Sequence, residues 1–355
     1  KAGLVPLHIW LPLAHPIAPT PASAILSGAI VKAGILGFIR FLPHGEALPD
    51  WGQILVFAGL VTAYYGVLIG LTQSDPKTIL AYSTFSQMGI VIAVLGAGLG
   101  PDRADVLETV TLYATNHGLA KGALFLTVGV VAASSNPQWF VMLLSAMVAG
   151  AIAGLPFTGG ALAKVAVKEA VGTGIVAMLL AWSAAGTTLL LLRFLYVVAD
   201  RRSEDPEARP SMGLLVPWAA AVLAALVVPW VLFTTLMEQT LTAAMSAHGL
   251  WEAAWPIVVG ALVAAAALRY PPTLLPEVPE GDLVVPLETV LRRSVMTARL
   301  ELRAAARLRP RKVLPRAGAW AGGLLDRFEA GLLKWSFGGA ALLAIAIIFG
   351  AALAG

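Results

Sequence analysis

The sequence predicts an all-α, multi-pass membrane protein, a helical bundle in which two of the membrane helices are broken. Of its 355 residues, 58% are hydrophobic and only 12% are charged, whereas soluble domains carry about 25% charged residues. The mean hydropathy is +0.82. Apolar segments of about 20 residues, the length needed to cross a bilayer core, follow one another along the chain. Prolines and glycines interrupt two of these segments, which predicts the two breaks.

The predicted membrane spans begin with a partial one at residues 1–13. Lys1 leads directly into apolar sequence, so we expect the chain to start inside a helix, as a piece of a longer protein would. Turns such as TQSDPK and SSNPQ separate the full spans that follow. Those spans are 22–42, 52–72, 77–99, 108–133, 139–172, 174–199, 212–236, 250–269 and 337–354.

The two predicted breaks lie near residues 1–13 and 150–165. Pro6 interrupts KAGLVPLHIWLP, and Pro156 follows Gly154 in AIAGLPFTGGALAK. Proline frees a backbone carbonyl and glycine lets the helix unwind. In lipid, such groups are tolerated only where protein buries them or a wet cavity reaches them. Two broken helices therefore indicate a path for an ion or substrate. The alternative for either break alone is a proline kink that serves packing.

The C-terminal part differs from the rest of the chain. PPTLLPEVPEG is a proline-rich linker, and the arginine-rich stretch 288–312 predicts an amphipathic helix on the membrane surface. A solvated linker helix is the alternative. The predicted organisation is thus a first region at 1–200, additional transmembrane helices at 201–270, the linker with its surface helix at 271–336, and a C-terminal transmembrane helix at 337–355.

Lysine and arginine are distributed unevenly between the two predicted sides of the membrane. One side carries little beyond Arg40 and Arg103. By the positive-inside rule, the richer side faces the cytoplasm, and we expect a bacterial cytoplasmic membrane. The residues on that side are Lys77, Arg201, Arg202, Arg209 and the block from Arg292 to Arg327.

The sequence predicts no cofactor and no metal site. Cysteine is absent, which excludes disulfides, thiolate zinc sites and cysteine-held iron–sulfur clusters. The five histidines form no H-x-x-x-H or H-E-x-x-H pair. The arginine-rich block lies between membrane segments and indicates contact with the lipid bilayer rather than with nucleic acid.

Cations inside the apolar segments are the candidate functional residues. A charge at bilayer depth costs on the order of 3 kcal/mol or more. Glu169 is the only carboxylate well inside a predicted span, so ion pairing does not account for these cations. Burial and nearby like charges disfavour the charged form of a lysine, which lets it take up and release protons. The candidates are Lys1, Lys32, Lys121, Lys164 and Arg193, with Lys168 near a helix end.

His117 is a candidate proton-exchange residue, whereas His8, His15 and His44 are predicted to pack against backbone or to lie in loops. In TNHGLAKGALFLTVG, His117 and Lys121 are four residues apart and share one helix face. Protonation of one disfavours protonation of the other, which predicts a proton-exchange site. His8 is predicted to pack against backbone freed by the first break, and His15 and His44 fall in predicted loops.

Four segments, in order, resemble the antiporter-like membrane subunits of respiratory complex I, of membrane-bound hydrogenase and formate hydrogenlyase complexes, and of Mrp-type sodium/proton antiporters. They are LPLAHPIAPTPASAILSGAIVKAG, TQSDPKTILAYSTFSQMG, TNHGLAKGALFL and AGLPFTGGALAK. The resemblance covers about residues 1–200. It implies the second half of an inverted-repeat fold, with the chain starting in the broken helix of the second repeat.

The resemblance also implies roles for individual residues. Lys164 matches an exit-side lysine that is glutamate in some members, and Ser27 and Tyr113 stand where some members have histidines. The implied proton-translocation residues are Lys1, Lys32, His117, Lys121 and Lys164. The supporting polar or broken-helix residues are Pro6, His8, Ser27, Tyr113, Pro156 and Lys168.

The function implied by the resemblance is proton translocation by a cofactor-free subunit of a multi-subunit redox-driven pump. Its partners would be other membrane subunits and a peripheral redox module. One alternative is a subunit of an Mrp-type cation/proton antiporter or of an ion-coupled uptake complex. Another is a non-conducting scaffold for peripheral subunits, against which the buried lysines argue. The choice between protons and sodium stays open.

Overall fold

The described residues fold entirely into helices and connecting segments. The computed structural model describes residues 1–42, 47–100, 106–136, 139–237, 241–267, 269, 278–279 and 282. They belong to the first of two compact units, Lys1–Val285; the second is Pro286–Gly355. The predicted surface helix 288–312, the predicted span 337–354, His44 and Arg103 lie outside the described residues.

Twelve α-helices and one π-helix make up the described part of this unit. The π-helix is Leu26–Ile30. The α-helices are α1 (Trp10–Ile17), α2 (Thr20–Ile25), α3 (Lys32–Phe41), α4 (Pro49–Leu71), α5 (Pro76–Ala97), α6 (Leu107–Ala132), α7 (Trp139–Ala153), α8 (Gly159–Val171), α9 (Ile175–Ala199), α10 (Met212–Leu236), α11 (Leu241–Ala244) and α12 (Ala247–Ala267).

Six of the described helices are long and apolar enough to cross a membrane. The helix α6 has 26 residues and packs among them, against α5 and α10. The multi-pass, all-α prediction is therefore confirmed. The six are Thr20–Phe41, Pro49–Leu71, Pro76–Ala97, Ile175–Ala199, Met212–Leu236 and Ala247–Ala267.

Helix α5 is the centre of the bundle. Every residue from 78 to 96 is buried. The helix starts at Asp75, whose carboxylate accepts a hydrogen bond from the Thr78 amide at 2.9 Å, and Pro76 occupies the first turn. Small residues bring α4 close: a Cβ added at Gly59 would lie 2.5 Å from the Gly89 carbonyl oxygen. Because other helices surround α5, it can offer polar groups to several of them.

Hydrogen bonds between connecting segments define two ends of the bundle. At the first end, the Arg201 guanidinium donates to the Ser74 carbonyl at 3.3 Å, and the Ser203 amide donates to the Ser134 carbonyl at 3.0 Å. We call this the basic end. At the opposite end, the Leu48 amide donates to the Leu99 carbonyl at 2.9 Å. Successive long helices run between these two ends.

Both predicted breaks are present. The predicted span 139–172 is two helices, α7 and α8, joined by residues 154–158. Gly154 and Phe157 adopt positive φ angles of 88° and 63° there, and the phenylalanine is strained by this conformation. At the N-terminal break, residues 1–9 form extended and turn structure, and α1 begins only at Trp10. The π-helix was not predicted from the sequence.

Candidate ion-translocation pathway

Lys121 is the most deeply buried cation of the described bundle. Its side chain is 0% exposed, and its ammonium donates to the Leu80 carbonyl of α5 at 3.0 Å. One turn earlier on α6, His117 is 1% exposed. Neither of its ring nitrogens has a hydrogen-bond partner among the residues that the structure describes. The predicted pair is therefore buried together on α6, with no carboxylate bonded to it there.

Hydrogen bonds to Ser27, Thr84 and Leu80 link the surroundings of Lys32 and Lys121. The Lys32 ammonium donates to the carbonyl oxygen of Ser27 at 2.5 Å. The Ser27 hydroxyl lies 2.7 Å from the Thr84 hydroxyl, which donates to the Leu80 carbonyl at 2.8 Å. The same Leu80 oxygen accepts from Lys121. Ser27, which stands where some members of the family that this sequence resembles have a histidine, thus contacts Lys32 through its carbonyl and Thr84 through its hydroxyl.

Close packing at the π-helix positions Lys32 beside α6. A Cβ added at Gly118 would lie 2.7 Å from the Gly28 carbonyl oxygen and 3.4 Å from Cε of Lys32. Lys32 is therefore close enough to His117 and to Lys121 for its charge to act on both. π-Helical turns are frequent at functional sites, and this one directly precedes a candidate lysine.

A second polar group connects α5, α6 and α9. The Tyr113 hydroxyl donates to the side-chain oxygen of Gln87 at 2.6 Å, and the Gln87 amide donates to the Thr187 hydroxyl at 2.8 Å. Sequence reasoning missed Gln87 and Thr187. The signal was available for the glutamine, because STFSQMG is a polar run inside an otherwise apolar segment.

Lys164 lies next to the second break. Its ammonium donates to the carbonyl of Ala153, the last residue of α7. It also lines a cavity of about 660 Å³ formed by α8, α9 and α12, which Tyr113 reaches from α6. The cavity extends to the α8–α9 turn at residues 172–174, at the opposite end of the bundle.

Acidic and basic side chains surround the mouth of this cavity. Lys168 is exposed and pairs with Glu252 of α12, and His248 lies 3.2 Å from the same carboxylate. Glu169 is also exposed, two residues before the end of α8, so the prediction that it lies well inside a span was wrong. A helix end leaves such side chains within reach of water.

Three predictions about the N-terminal region need correction or qualification. His15 is not in a loop: it is fully buried in α1 and stacks on Phe125 with ring centroids 4.3 Å apart. His8 is fully buried, but it lies 3.0 Å from the Asp282 carboxylate rather than against freed backbone. Lys1 is exposed, and Pro6 is exposed beside it. The structure does not bring Lys1 into the hydrogen-bonded series that contains Lys32.

Asp282 is a buried carboxylate that sequence reasoning missed. One of its oxygens accepts hydrogen bonds from the hydroxyls of Tyr65 and Tyr82 at 3.0 and 2.9 Å and faces His8 at 3.0 Å.

At the basic end, Arg193 donates to the Gln73 carbonyl at 2.6 and 3.0 Å. Across the described ranges, no group of three or more histidine, aspartate or glutamate residues is arranged to hold a metal ion.

Comparisons with known proteins agree with the motifs. The family described as NADH:quinone oxidoreductase/Mrp antiporter, transmembrane region, matches residues 1–190. Hydrogenase-4 component B of Escherichia coli is 43% identical over 142 residues, which are 37% of this chain and 21% of that protein. The putative antiporter subunit mnhA2 of Staphylococcus aureus is 36% identical over 187 residues, 46% of this chain and 23% of that protein.

Two solved structures share the fold. The Mrp complex from a Dietzia species matches with a TM-score of 0.56 at 20% identity, over 74% of this chain and 58% of that chain. The membrane-bound sulfane sulfur reductase, an archaeal respiratory membrane complex, matches with a TM-score of 0.56 at 20% identity, over 92% of this chain and 66% of that chain. The chain matches less than a quarter of the length of the curated relatives named above.

Proposed function

The chain belongs to the transmembrane family of NADH:quinone oxidoreductase and Mrp antiporter subunits, and on this premise we propose that it moves protons across the membrane as a cofactor-free subunit of a multi-subunit, redox-driven complex. The observation that carries the proposal is the environment of its lysines. Lys32, Lys121 and Lys164 each donate to a backbone carbonyl, and none of them is paired with a carboxylate among the described residues.

A carbonyl partner suits a lysine that exchanges its proton. A carboxylate would favour the ammonium strongly and hold the charge in place. A carbonyl oxygen can accept from an ammonium and also from a neutral amine, since both carry N–H groups. Each lysine can therefore keep its position in both charge states. Buried polar atoms of Ser83, Asn116 and His117 have no hydrogen-bond partner among the described residues, and in this proposal they are the positions at which ordered water binds.

The proposed route runs from Lys32 through the His117–Lys121 pair to Lys164. The Ser27 and Thr84 hydroxyls lie between the two carbonyl groups that hold the first two lysines. Beyond them, Tyr113 reaches the cavity that Lys164 lines, and that cavity opens toward the opposite end. The loss of a proton by one lysine lowers the repulsion felt by its neighbour, so occupancy passes along the series.

We further propose that the basic end faces the cytoplasm of a bacterial cell, in accordance with the positive-inside rule. Protons would then be released through the cavity beside Lys164, on the outer side. The relatives include a hydrogenase component and a subunit of a respiratory membrane complex, which supports membrane partner subunits and a peripheral redox module. Similarity to a putative antiporter subunit favours cation/proton antiport as the second candidate function.

The test is proton uptake by vesicles that contain the assembled complex. Lys121→Ala should abolish uptake while native gels show normal assembly, and Arg40→Ala is the matched control because Arg40 is exposed at the end of α3. Normal uptake by an assembled Lys121→Ala complex contradicts the proposal. Uptake that requires an opposing sodium gradient selects the antiporter alternative.

A further inference from the structure

The segment after α12 returns to the bundle and places a carboxylate in its interior. Helix α12 ends at Ala267, and the Gln73 side chain at the basic end donates to the Val278 carbonyl at 3.0 Å. Four residues later, the Asp282 amide donates to the Pro279 carbonyl at 2.8 Å. The Asp282 side chain then extends inward, where it is 3% exposed.

Three side chains from three different parts of the chain converge on the Asp282 carboxylate. His8 comes from the first break, Tyr65 from α4 and Tyr82 from α5. All three contacts are to the same carboxylate oxygen, at 2.9 to 3.0 Å. A buried carboxylate is strongly destabilising unless donors and a countercharge compensate it. The only partner of these three that can carry a positive charge is His8, whose side chain is 0% exposed.

We propose that His8 and Asp282 form a proton-loading pair at the basic end of the pathway, a role that rests on the proposed function. Asp282 is the positioning residue: it accepts the Nε2–H of His8 and so fixes that proton. The Nδ1 atom is buried and has no partner within the described part of the chain. It is therefore the atom that takes up and releases the transported proton.

The proton balance of this step is simple. A proton from water binds Nδ1, which gives an imidazolium paired with the Asp282 carboxylate. Release of the Nδ1 proton toward the bundle returns a neutral imidazole that still donates Nε2–H to Asp282. The carboxylate keeps its charge throughout, so the pair alternates between zero and one net negative charge. The Tyr65 and Tyr82 hydroxyls, which also contact the Asp282 carboxylate, serve as neutral donors.

Asp282 and His8 come from distant parts of the sequence, and only His8 lies within the part that the family matches. Asp282 lies outside residues 1–190, which the family matches. The sequence separation between His8 and Asp282 is 274 residues. The carboxylate is thus supplied by a residue outside the part of the chain that the family matches.

The first test is spectroscopic and does not depend on pumping. Nitrogen-15 NMR of the histidine-labelled complex, with the His8 signal assigned by its loss in His8→Gln, reports which ring nitrogen carries the proton. We expect the neutral ring of His8 to be protonated at Nε2. A neutral ring protonated at Nδ1 overturns the proposal, even if the complex pumps normally.

The second test compares Asp282→Asn with Tyr82→Phe in vesicles. Asparagine keeps the shape of the side chain but removes its charge, so we expect proton uptake to fall by about tenfold or more and its pH profile to change. Phenylalanine removes one hydrogen bond and leaves the charge, so the pH profile should be unchanged. An Asp282→Asn complex with the wild-type rate and pH profile overturns the pair. Equal losses in both variants with no shift in profile also overturn it, because they assign the cluster a structural role. Failure of the proposed function itself appears separately, as normal pumping by Lys121→Ala.

Discussion

Replacement of Lys121 by arginine tests whether this lysine must lose its proton. Arginine keeps its charge at any accessible pH. His117 lies one helical turn away, at a Cβ separation of about 6 Å. At an effective dielectric constant of about 20, two unit charges at that distance repel each other by about 2.8 kcal/mol. Each proton that loads His117 beside a permanent charge meets this repulsion, which corresponds to a rate loss of about a hundredfold.

The assay is proton uptake by vesicles with the assembled complex, for Lys121→Arg and Lys121→Met in parallel. Methionine has a similar length, fits a fully buried site and carries no charge, so it separates loss of charge from loss of exchange. We expect both variants to be inactive and assembled. If the arginine variant pumps like wild type while the methionine variant does not, Lys121 is a fixed charge and the exchange argument is refuted. The guanidinium is larger than the ammonium that it replaces and could prevent assembly. Native gels test whether the arginine variant still assembles.

Three further predictions concern the rest of the pathway. Tyr113→Phe, which removes one buried hydrogen bond, should cost about 1 kcal/mol of stability and slow proton uptake about tenfold; an unchanged rate counts against a role for this hydroxyl. Lys168→Glu and Glu252→Lys should each slow release, and the double swap should restore the rate in the same vesicle assay, because the pair acts through charge; a double variant as slow as the singles contradicts this. Gly118→Ala should lower the thermal stability of the complex, since its Cβ would meet a carbonyl oxygen at 2.7 Å, whereas Gly122→Ala on the same helix, with nothing within 4 Å, should not.

The placement of Lys32, Lys121 and Lys164 inside the bundle could be predicted because its signal is local. A charged residue inside an apolar segment is visible in the sequence, and the spacing of His117 and Lys121 fixes their common helix face. The break before Lys164 was visible for the same reason, as proline and glycine within an apolar stretch. The hydrogen-bonded series through Ser27 was not visible, because the sequence does not show which helices become neighbours.

The residues that were missed or misplaced depend on contacts between distant parts of the chain. Asp282 follows a proline-rich stretch whose sequence is typical of a solvated linker, yet its carboxylate is buried against His8, Tyr65 and Tyr82. His15 stands between prolines in AHPIAPTP, a pattern typical of loops, yet Phe125 of α6 covers it. In both cases the local pattern was misleading, because contacts with distant helices bury a side chain that the sequence places in an exposed segment.

The hydrogen-bond acceptors in the middle of the proposed route differ from those at its two ends. Backbone carbonyls hold the lysines in the middle of the bundle, where a carboxylate would retain the proton and stop transfer. Carboxylates occur instead at the two ends, with Asp282 buried beside His8 toward the basic end and Glu252 at the mouth of the cavity beyond Lys164. A negative charge at the uptake end favours the binding of a proton, and one at the release end draws a proton away from the buried amine. Both acids lie beyond residues 1–190, so in the proposed route the part of the chain that the family matches supplies the neutralisable lysines, and later residues supply the carboxylates.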